Sequence, residues 1–500
     1  MLKTRAAALI FAVLMTAVVA CNASAPASPV ASSAPASSAA SAQAGKPNIV
    51  FVLTDDLSMN LVPYMSEVGK MQTEGVTFDQ YIVANSLCCP SRANIFTGRY
   101  PHNTGIKTNT ADTGGGYQVF KKLGLDQDTF ATDLQDAGYR TAMMGKYMNE
   151  YQPGSPKKPT TNNPAGWDEW ALAASGYAGF SYNLNINGQV RHYGRNDADY
   201  LTDVLSGLGQ DFIGRSAAEG EPFMLELSTF TPHKPYIPAP RHADTYPGLK
   251  APRTAGSYDR KNTNPPRWLA SQKLTPSRKA KMDQQFRQRV QAVQSINDMI
   301  RSVRAQLEKS GIADNTYIVF SSDNGYHMGE HSLISGKMTA FDTDVNVPMI
   351  VVGPDVPAGS TVSAPASTVD LRSTFGEIAG ATVPTTVDGQ SLVPLWKGGV
   401  TDRLYSLIEH TGMELDRMDP DNGIFRSPIP PNYTALRSRK WLYVEYDNGD
   451  REYYDLATDP LEMHNVYRDV SRRSRAELHR RVIRAKKCSG QTSCATALTP

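Results

Sequence analysis

Three stretches of this chain share one grammar: a run of apolar, largely β-branched residues that stops abruptly at groups able to carry charge. Asn48-Ile49-Val50-Phe51-Val52-Leu53 ends at Thr54-Asp55-Asp56, Pro222-Phe223-Met224-Leu225-Glu226-Leu227 runs into Thr231-Pro232-His233-Lys234, and Asn315-Thr316-Tyr317-Ile318-Val319-Phe320 runs into Ser321-Ser322-Asp323-Asn324-Gly325. Thr141-Ala142-Met143-Met144 before Gly145-Lys146 is a shorter fourth case. Unbroken apolar runs of this length predict strands buried on both faces of a parallel sheet. Between them, Phe286, Val290, Val293, Ile296, Ile300, Val303 and Leu307 recur at helical spacing, with Gly311 as a stop. Strands alternating with helices predict an α/β fold. Ligands bind outside the carboxyl ends of such strands, so these exits predict one convergent polar site.

Past Val347–Val352 and a helical stretch near Leu371 to Ile378, the pattern changes. Trp441-Leu442-Tyr443-Val444-Glu445-Tyr446 and Arg451-Glu452-Tyr453-Tyr454, joined through Asn448-Gly449, read as a hairpin. A smaller antiparallel unit is expected from about residue 398 onward, and no repeat of solenoid length is visible.

Five hundred residues suggest about three folding units. Lys+Arg 51 against Asp+Glu 49 leaves +2, too even a balance for a chain whose affinity rests on nucleic-acid phosphates. Five cysteines exclude a disulfide-dense scaffold or a Cys-rich zinc array as the main source of stability. Lys3 and Arg5 precede an apolar run from Ala6 to Ala20, too short for a permanent span and read as a secretory signal. Val18-Val19-Ala20-Cys21 resembles the bacterial lipobox, which would make Cys21 a lipidated mature N-terminus; plain cleavage near Ala20 is the alternative. Asn22 to Ala44 is almost all Ser, Ala and Pro, a tether that cannot bury enough apolar surface to fold. The expected organisation is therefore a signal over 1–21, a tether over 22–45, a catalytic domain over 46–397 and a C-terminal α+β subdomain over 398–500. The product is exported, either secreted or held at the surface or in the periplasm of a bacterium by a lipid anchor. Cys488 and Cys494, six apart in an exported chain, are expected to form a small disulfide loop pinning the tail.

The chemistry centres on Leu87-Cys88-Cys89-Pro90-Ser91-Arg92-Ala93-Asn94-Ile95-Phe96-Thr97-Gly98-Arg99. This segment resembles the signature of the type I sulfatases, Cys-x-Pro-Ser-Arg followed by Thr-Gly-Arg. Taken alone, two adjacent cysteines read equally as buried small hydrophobes or a redox pair. The resemblance extends from Lys46 to about Val466 through Leu53-Thr54-Asp55-Asp56, Gly145-Lys146-Tyr147, Thr231-Pro232-His233-Lys234-Pro235, Ser322-Asp323-Asn324-Gly325, Gly336-Lys337 and Tyr454-Asp455-Leu456 with Asp459-Pro460, in the family's order.

The resemblance implies an alkaline-phosphatase-like fold, in which a large, mostly parallel mixed sheet is sandwiched by helices beside a smaller antiparallel sheet. It implies that Cys88 is oxidised to formylglycine by a formylglycine-generating enzyme. Asp55, Asp56, Asp323 and Asn324 would then hold a divalent cation together with modified Cys88. Oxygen ligands select a hard ion, Ca²⁺ first and Mg²⁺ second. The hydrated aldehyde is a geminal diol: one hydroxyl attacks sulfur and displaces the alcohol, and the other, losing its proton, expels sulfate and restores the aldehyde. Arg92 would hold the formylglycine, Lys146 a sulfate oxygen, and His233 with Lys337 the departing alcohol. Many family members carry a His two residues after the Lys146 position, where this chain has Met148. His327 is the candidate substitute base, against the ordinary reading of a structural histidine.

Cys88–Arg92, Gly145–Tyr151 and Pro232–Pro235 look most like the N-acetylglucosamine-6-sulfatase and heparan 6-O-endosulfatase branch, so a sulfated carbohydrate is the expected substrate. Arg437, Arg439 and Lys440 form a basic cluster that fits a polyanion or a solvated surface. Two other functions are compatible with the residues: a phosphonate or phosphate monoester hydrolase of the same superfamily, and a non-catalytic glycan-binding surface lipoprotein in which Cys88 stays a thiol.

Overall fold

The computed structural model describes residues 45–160, 164–253, 256–412, 419, 421 and 429–499. The signal segment, Cys21 and nearly all of the tether lie outside the described residues. Residues 44–500 form one compact unit, and among the described residues no helix is long and apolar enough to cross a membrane.

Ten strands form the main sheet: β1 (Asn48–Thr54), β2 (Val76–Phe78), β3 (Arg140–Gly145), β4 (Glu169–Ala173), β5 (Tyr182–Ile186), β6 (Gln189–Tyr193), β7 (Phe223–Ser228), β8 (Thr316–Ser322), β9 (Met349–Val352) and β10 (Ser360–Val362). Their spatial order is β10-β2-β9-β8-β1-β7-β3-β4-β5-β6. The middle of the sheet, β8-β1-β7-β3-β4, is entirely parallel, and antiparallel pairings are confined to β8-β9-β2 and β4-β5-β6. The four predicted strands are therefore the four central neighbours, and all of β1, β7 and β8 is buried.

Alternation along β1 sends Ile49, Phe51 and Leu53 into one core and Val50 and Val52 into the other. The first core holds α1 (Cys88–Thr97), through Ile95 and Phe96, and α4 (Asp370–Ala379), through Leu371 and Phe375. The second holds α2 (Leu201–Glu219) and α3 (Pro276–Lys309), the latter through the seven apolar residues read from the sequence. Side chains of about this size each contribute roughly 1.5–3 kcal/mol when removed from water, so two covered faces account for the stability of the central strands.

The C-terminal sheet is antiparallel and four-stranded, β11 (Tyr405–His410), β12 (Tyr433–Ser438), β13 (Trp441–Tyr446) and β14 (Arg451–Asp455), in sequence order. Its last two strands are the predicted hairpin. Cys488 and Cys494 are disulfide-bonded, and the Cys488 carbonyl accepts a hydrogen bond from Asn103 Nδ2 and pairs with His102 Nε2, tying the tail to the segment that follows α1.

Candidate active site

Register brings the strand exits together. Thr54 pairs with Ser322, Leu53 with Ser228, and Ser228 with Gly145, so Asp55, Asp323, Thr229 and Lys146 leave the sheet side by side. Asp56 has φ 63°, in the left-handed region that a non-glycine residue seldom occupies. Its carbonyl is held by the buried Arg289 guanidinium from α3, and its N–H donates to Asp323 Oδ1 at 3.1 Å. The turn is thus fixed from two directions.

Cys88 is the first residue of α1, a helix whose ten residues are all buried. Its Sγ lies 3.4 Å from Asp55 Oδ1 and 3.8 Å from Asp56 Oδ1, with Lys337 Nζ 2.8 Å away. One turn on, Arg92 donates to Asp323 Oδ2 at 2.8 Å, to the Lys146 carbonyl at 2.9 Å and to Ser228 Oγ at 2.7 Å. A single guanidinium, with its five donors in a rigid fork, therefore fastens the helix to three strand exits. The other thiol of the pair, Cys89 Sγ, accepts from the Gly116 N–H at 3.2 Å and lies in the first core.

The remaining predicted residues converge on the same point. Lys146 Nζ is 2.6 Å from Asp55 Oδ2, Lys337 Nζ is 2.6 Å from Asp56 Oδ1, and Asn324 Nδ2 is 2.7 Å from Asp56 Oδ1. His233 Nε2 stands 3.6 Å from Asp56 Oδ2. His327 behaves differently: its Nδ1 pairs with Asp344 at 2.9 and 3.0 Å, its buried Nε2 has no partner, and none of its hydrogen bonds reaches Cys88. Met148 is buried in the first core. Arg437 faces inward rather than toward solvent, forked onto Asp342 at 2.6 and 2.7 Å, which removes it from the basic surface expected there.

Three residues of the site carry no sequence signal. Asp421 accepts from His233 Nε2 at 2.9 Å and lies 3.0 Å from Lys337 Nζ and 3.9 Å from Cys88 Sγ. Asn109 donates to Asp421 Oδ2 at 2.9 Å while its Oδ1 takes the Cys89 N–H at 3.0 Å. Tyr177 stacks obliquely on His233, ring centres 4.6 Å apart, and lies 5.3 Å from Lys146 Nζ.

The electrostatics follow from burial and crowding. Burial opposes ionisation of Asp55, but Lys146, His233, Arg92 and Lys337 overcome it and hold the carboxyl below the usual carboxylate range. Burial likewise opposes the charge on Lys146 and Lys337, yet Asp55 on one side, and Asp421 with Asp56 on the other, keep both ammoniums firmly protonated. Asp323 is pushed up to about 6 by burial and by the Asp55 charge. Burial drives the Cys88 thiol well above its ordinary range. A thiol that stays protonated at neutral pH is a poor nucleophile, so unmodified Cys88 is not equipped for attack.

Ligating atoms of Asp55, Asp56, Cys88 and His233 all lie within 4.8 Å of one another. Asp56 Oδ2 and Asn324 Oδ1 are buried without a hydrogen-bond partner. Orphaned acceptors beside crowded carboxylates fit a hard divalent cation.

A family model described as Sulfatase matches residues 47–381. The chain belongs to the sulfatase family. It is accordingly a hydrolase of sulfate esters. N-acetylglucosamine-6-sulfatase of Homo sapiens is 32% identical over 478 residues, covering 89% of this chain and 86% of that protein. The fold is shared with a solved structure of a protein in complex with its substrate D-glucosamine-2-N,6-O-disulfate, at TM-score 0.70 and 22% identity, covering 89% of this chain and 98% of the other. It is shared also with the phosphonate monoester hydrolase of Agrobacterium radiobacter, at TM-score 0.65 and 18% identity, covering 88% of this chain and 96% of the other.

Proposed function

We propose that this sulfatase is an exported enzyme that removes sulfate from a sulfated amino sugar, using formylglycine made from Cys88 and a calcium ion. The observation carrying the reading is the placement of Cys88: buried at the first turn of α1, within 3.4 Å of Asp55 and 2.8 Å of Lys337, in a setting that disables a thiol. The Sγ atom marks where a formylglycine oxygen would sit. Asp55, Asp56, Asp323 and Asn324 would hold the cation, Mg²⁺ being the second choice, and the ion would supply Lewis-acid polarisation of the nucleophile.

The protein's own groups account for the rest of the reaction. A sulfate monoester brings one negative charge, and charge moves onto the bridging oxygen as the S–O bond breaks. Lys146 and Lys337, both charged, flank the nucleophile; Lys146 would bind a sulfate oxygen, and Lys337, with His233, would stabilise the departing alcohol. His233 is kept protonated above its ordinary range, since Asp56, Asp55 and Asp421 outweigh its burial, and its Nε2 proton is available to the departing alcohol. Arg92 holds Asp323 and the Lys146 backbone in place. The amino-sugar assignment is supported by the similarity to N-acetylglucosamine-6-sulfatases, and export by the leader-like N-terminal segment, with a lipid anchor at Cys21 as its finer form.

Intact-peptide mass spectrometry across residues 81 to 99 tests the nucleophile; active material with an unaltered thiol at Cys88 excludes the mechanism, and inactive material with an unaltered thiol returns the non-catalytic reading. Because phosphonate hydrolases share the fold, hydrolysis of 4-nitrophenyl sulfate is to be compared with 4-nitrophenyl phosphate and phosphonate. A hundredfold preference for phosphorus would overturn the sulfatase assignment.

A further inference from the structure

Lys337 reaches the nucleophile from a stretch of backbone that belongs to no helix or strand. Its neighbour Met338 has φ 78°, in the left-handed region that a residue with a Cβ seldom occupies, so this backbone does not hold its shape by itself. Lysine carries its charge on a flexible four-carbon stem, and the ammonium meets one chosen oxygen only if the root of the stem is fixed as well as its head. The head lies 2.6 Å from Asp56 Oδ1 and 2.8 Å from Cys88 Sγ. The root is held by His327 and Asp344, to which the reaction above gives no part.

At one end of the stretch, His327 and Gly336 exchange backbone hydrogen bonds, N–H to carbonyl in both directions, at 2.8 and 3.1 Å. At the other end, Asp344 Oδ2 accepts the Thr339 N–H at 2.9 Å and the Thr339 hydroxyl at 2.6 Å. The two ends are joined by a side-chain pair, since His327 Nδ1 lies 3.0 Å from Asp344 Oδ1 and 2.9 Å from Oδ2. His327, Thr339 and Asp344 are all buried. The same frame touches the rest of the site. The Asp344 carbonyl accepts the Gly325 N–H at 2.9 Å, next to Asn324, and the Thr339 carbonyl accepts from Ser86 Oγ at 3.0 Å, two residues before Cys88. The root of Lys337 is thereby referred to both the cation ligands and the nucleophile. An ionised carboxylate only accepts, and Asp344 faces three donors; an asparagine of the same shape would turn its own N–H group against one of them.

We propose that Asp344, oriented by His327, is a positioning residue that acts through the Gly336–Thr339 segment to place the Lys337 ammonium against the oxygen of the departing alcohol, a role that rests on the reading of Lys337 given above. Charge develops on that oxygen only as the S–O bond breaks, so a displaced ammonium slows turnover and leaves substrate binding almost unchanged.

Steady-state kinetics of the full-length, matured protein on 4-nitrophenyl sulfate and on phenyl sulfate, whose leaving phenoxide is the more basic, test this. Asp344→Asn is expected to lower kcat for phenyl sulfate about tenfold more than kcat for 4-nitrophenyl sulfate, with both KM values within about twofold of the wild type. Lys337→Ala is expected to show the same selective loss, and Asp344→Asn added to it to cost less than about threefold further on either ester, because nothing is then left to misplace. His327→Ala is expected to follow Asp344→Asn, and His327→Asn, whose amide N–H can stand in for Nδ1, to keep the wild-type ratio of the two esters; equal ratios in the two variants remove His327 from this role. Equal losses on both esters in Asp344→Asn beside a selective loss in Lys337→Ala, or an undiminished loss when the two are combined, overturn the positioning role. Equal losses on both esters in Lys337→Ala itself overturn the assignment of Lys337 to the leaving group, and the combined variant still decides whether Asp344 acts through it. Should circular dichroism show that Asp344→Asn unfolds the chain, Thr339→Val, which removes the hydroxyl that Asp344 accepts, decides by the same criteria.

Discussion

Cys88, Asp421 and Glu226 show how differently burial acts on single groups. At Cys88 it suppresses the thiolate, so Cys88→Ala and Cys88→Ser are both expected to reduce 4-nitrophenyl sulfate hydrolysis by at least about a thousandfold, in a host whose maturation enzyme does not oxidise serine. Asp421 places a carboxylate against His233 and Lys337, the cations that an incoming sulfate needs. Like charges at this separation repel by several kcal/mol at low effective dielectric. Asp421→Asn is therefore expected to tighten inhibition by inorganic sulfate about tenfold; an inhibition constant that stays the same or rises would show that the carboxylate does not compete. Glu226, in the middle of β7, is fully buried, and burial pushes it up to about 8 although Arg92 and the Ser228 hydroxyl pull it down. Its folded value lies above the unfolded 4.5, so the folded state binds the proton more tightly, and this stabilising contribution is complete below pH 4.5 and lost as pH rises to about 8. Glu226→Gln should raise the Tm at pH 9 by about 2–5 °C and change it little at pH 4, as measured by scanning calorimetry.

At the scale of elements, the strand exits and α1 work as one device, because Arg92 joins what the sheet register has aligned. The ends of these elements leave no room for a side chain. Gly145 has φ 113°, and a Cβ there would fall 1.8 Å from the Ser228 carbonyl oxygen, in the seam between β3 and β7. Gly98, which ends α1 at φ 66°, would press a Cβ to 2.7 Å from Val387 Cγ1. Gly145→Ala must part the two strands just where Lys146 leaves the sheet. It is expected to cost about 3 kcal/mol or more in urea unfolding and to lower kcat at least a hundredfold. A variant with wild-type kcat would show that Lys146 is positioned by something other than this seam.

For the molecule as a whole, folding gathers Asp55, Asp56, Asp323 and Asp421 around one point; Lys146, Lys337, Arg92 and His233 hold Asp55 and Asp421 ionised, while Asp323 is still pushed up by burial and by the Asp55 charge. Calcium should therefore stabilise the folded chain by mass action, by about 2.7 kcal/mol at a hundredfold excess over its Kd. The Tm is expected to rise with added calcium and to fall in a chelator; a Tm indifferent to both would argue against a cation at this site.

The architecture and most of the site were legible because they are written locally. A strand buried on both faces must be apolar throughout, and its exit must be polar where it meets a ligand, so β1, β3, β7 and β8 announced themselves together with Asp55, Lys146, His233 and Asp323. The Cys88–Arg99 segment was legible through its resemblance alone, since two adjacent cysteines by themselves favour no chemistry. What tertiary structure decided is which distant groups complete that site. Asp421 meets Cys88 across 333 positions, and Asn109 and Tyr177 sit in segments with no period or motif, so only packing reveals what they face. The same holds in reverse for Arg437, whose basic neighbours suggested a surface and whose partner Asp342 is 95 positions away. Residue order specifies what each segment tends to form; contacts between segments, which decide whether a charge meets solvent, a partner or a substrate, exist only once the chain has closed on itself.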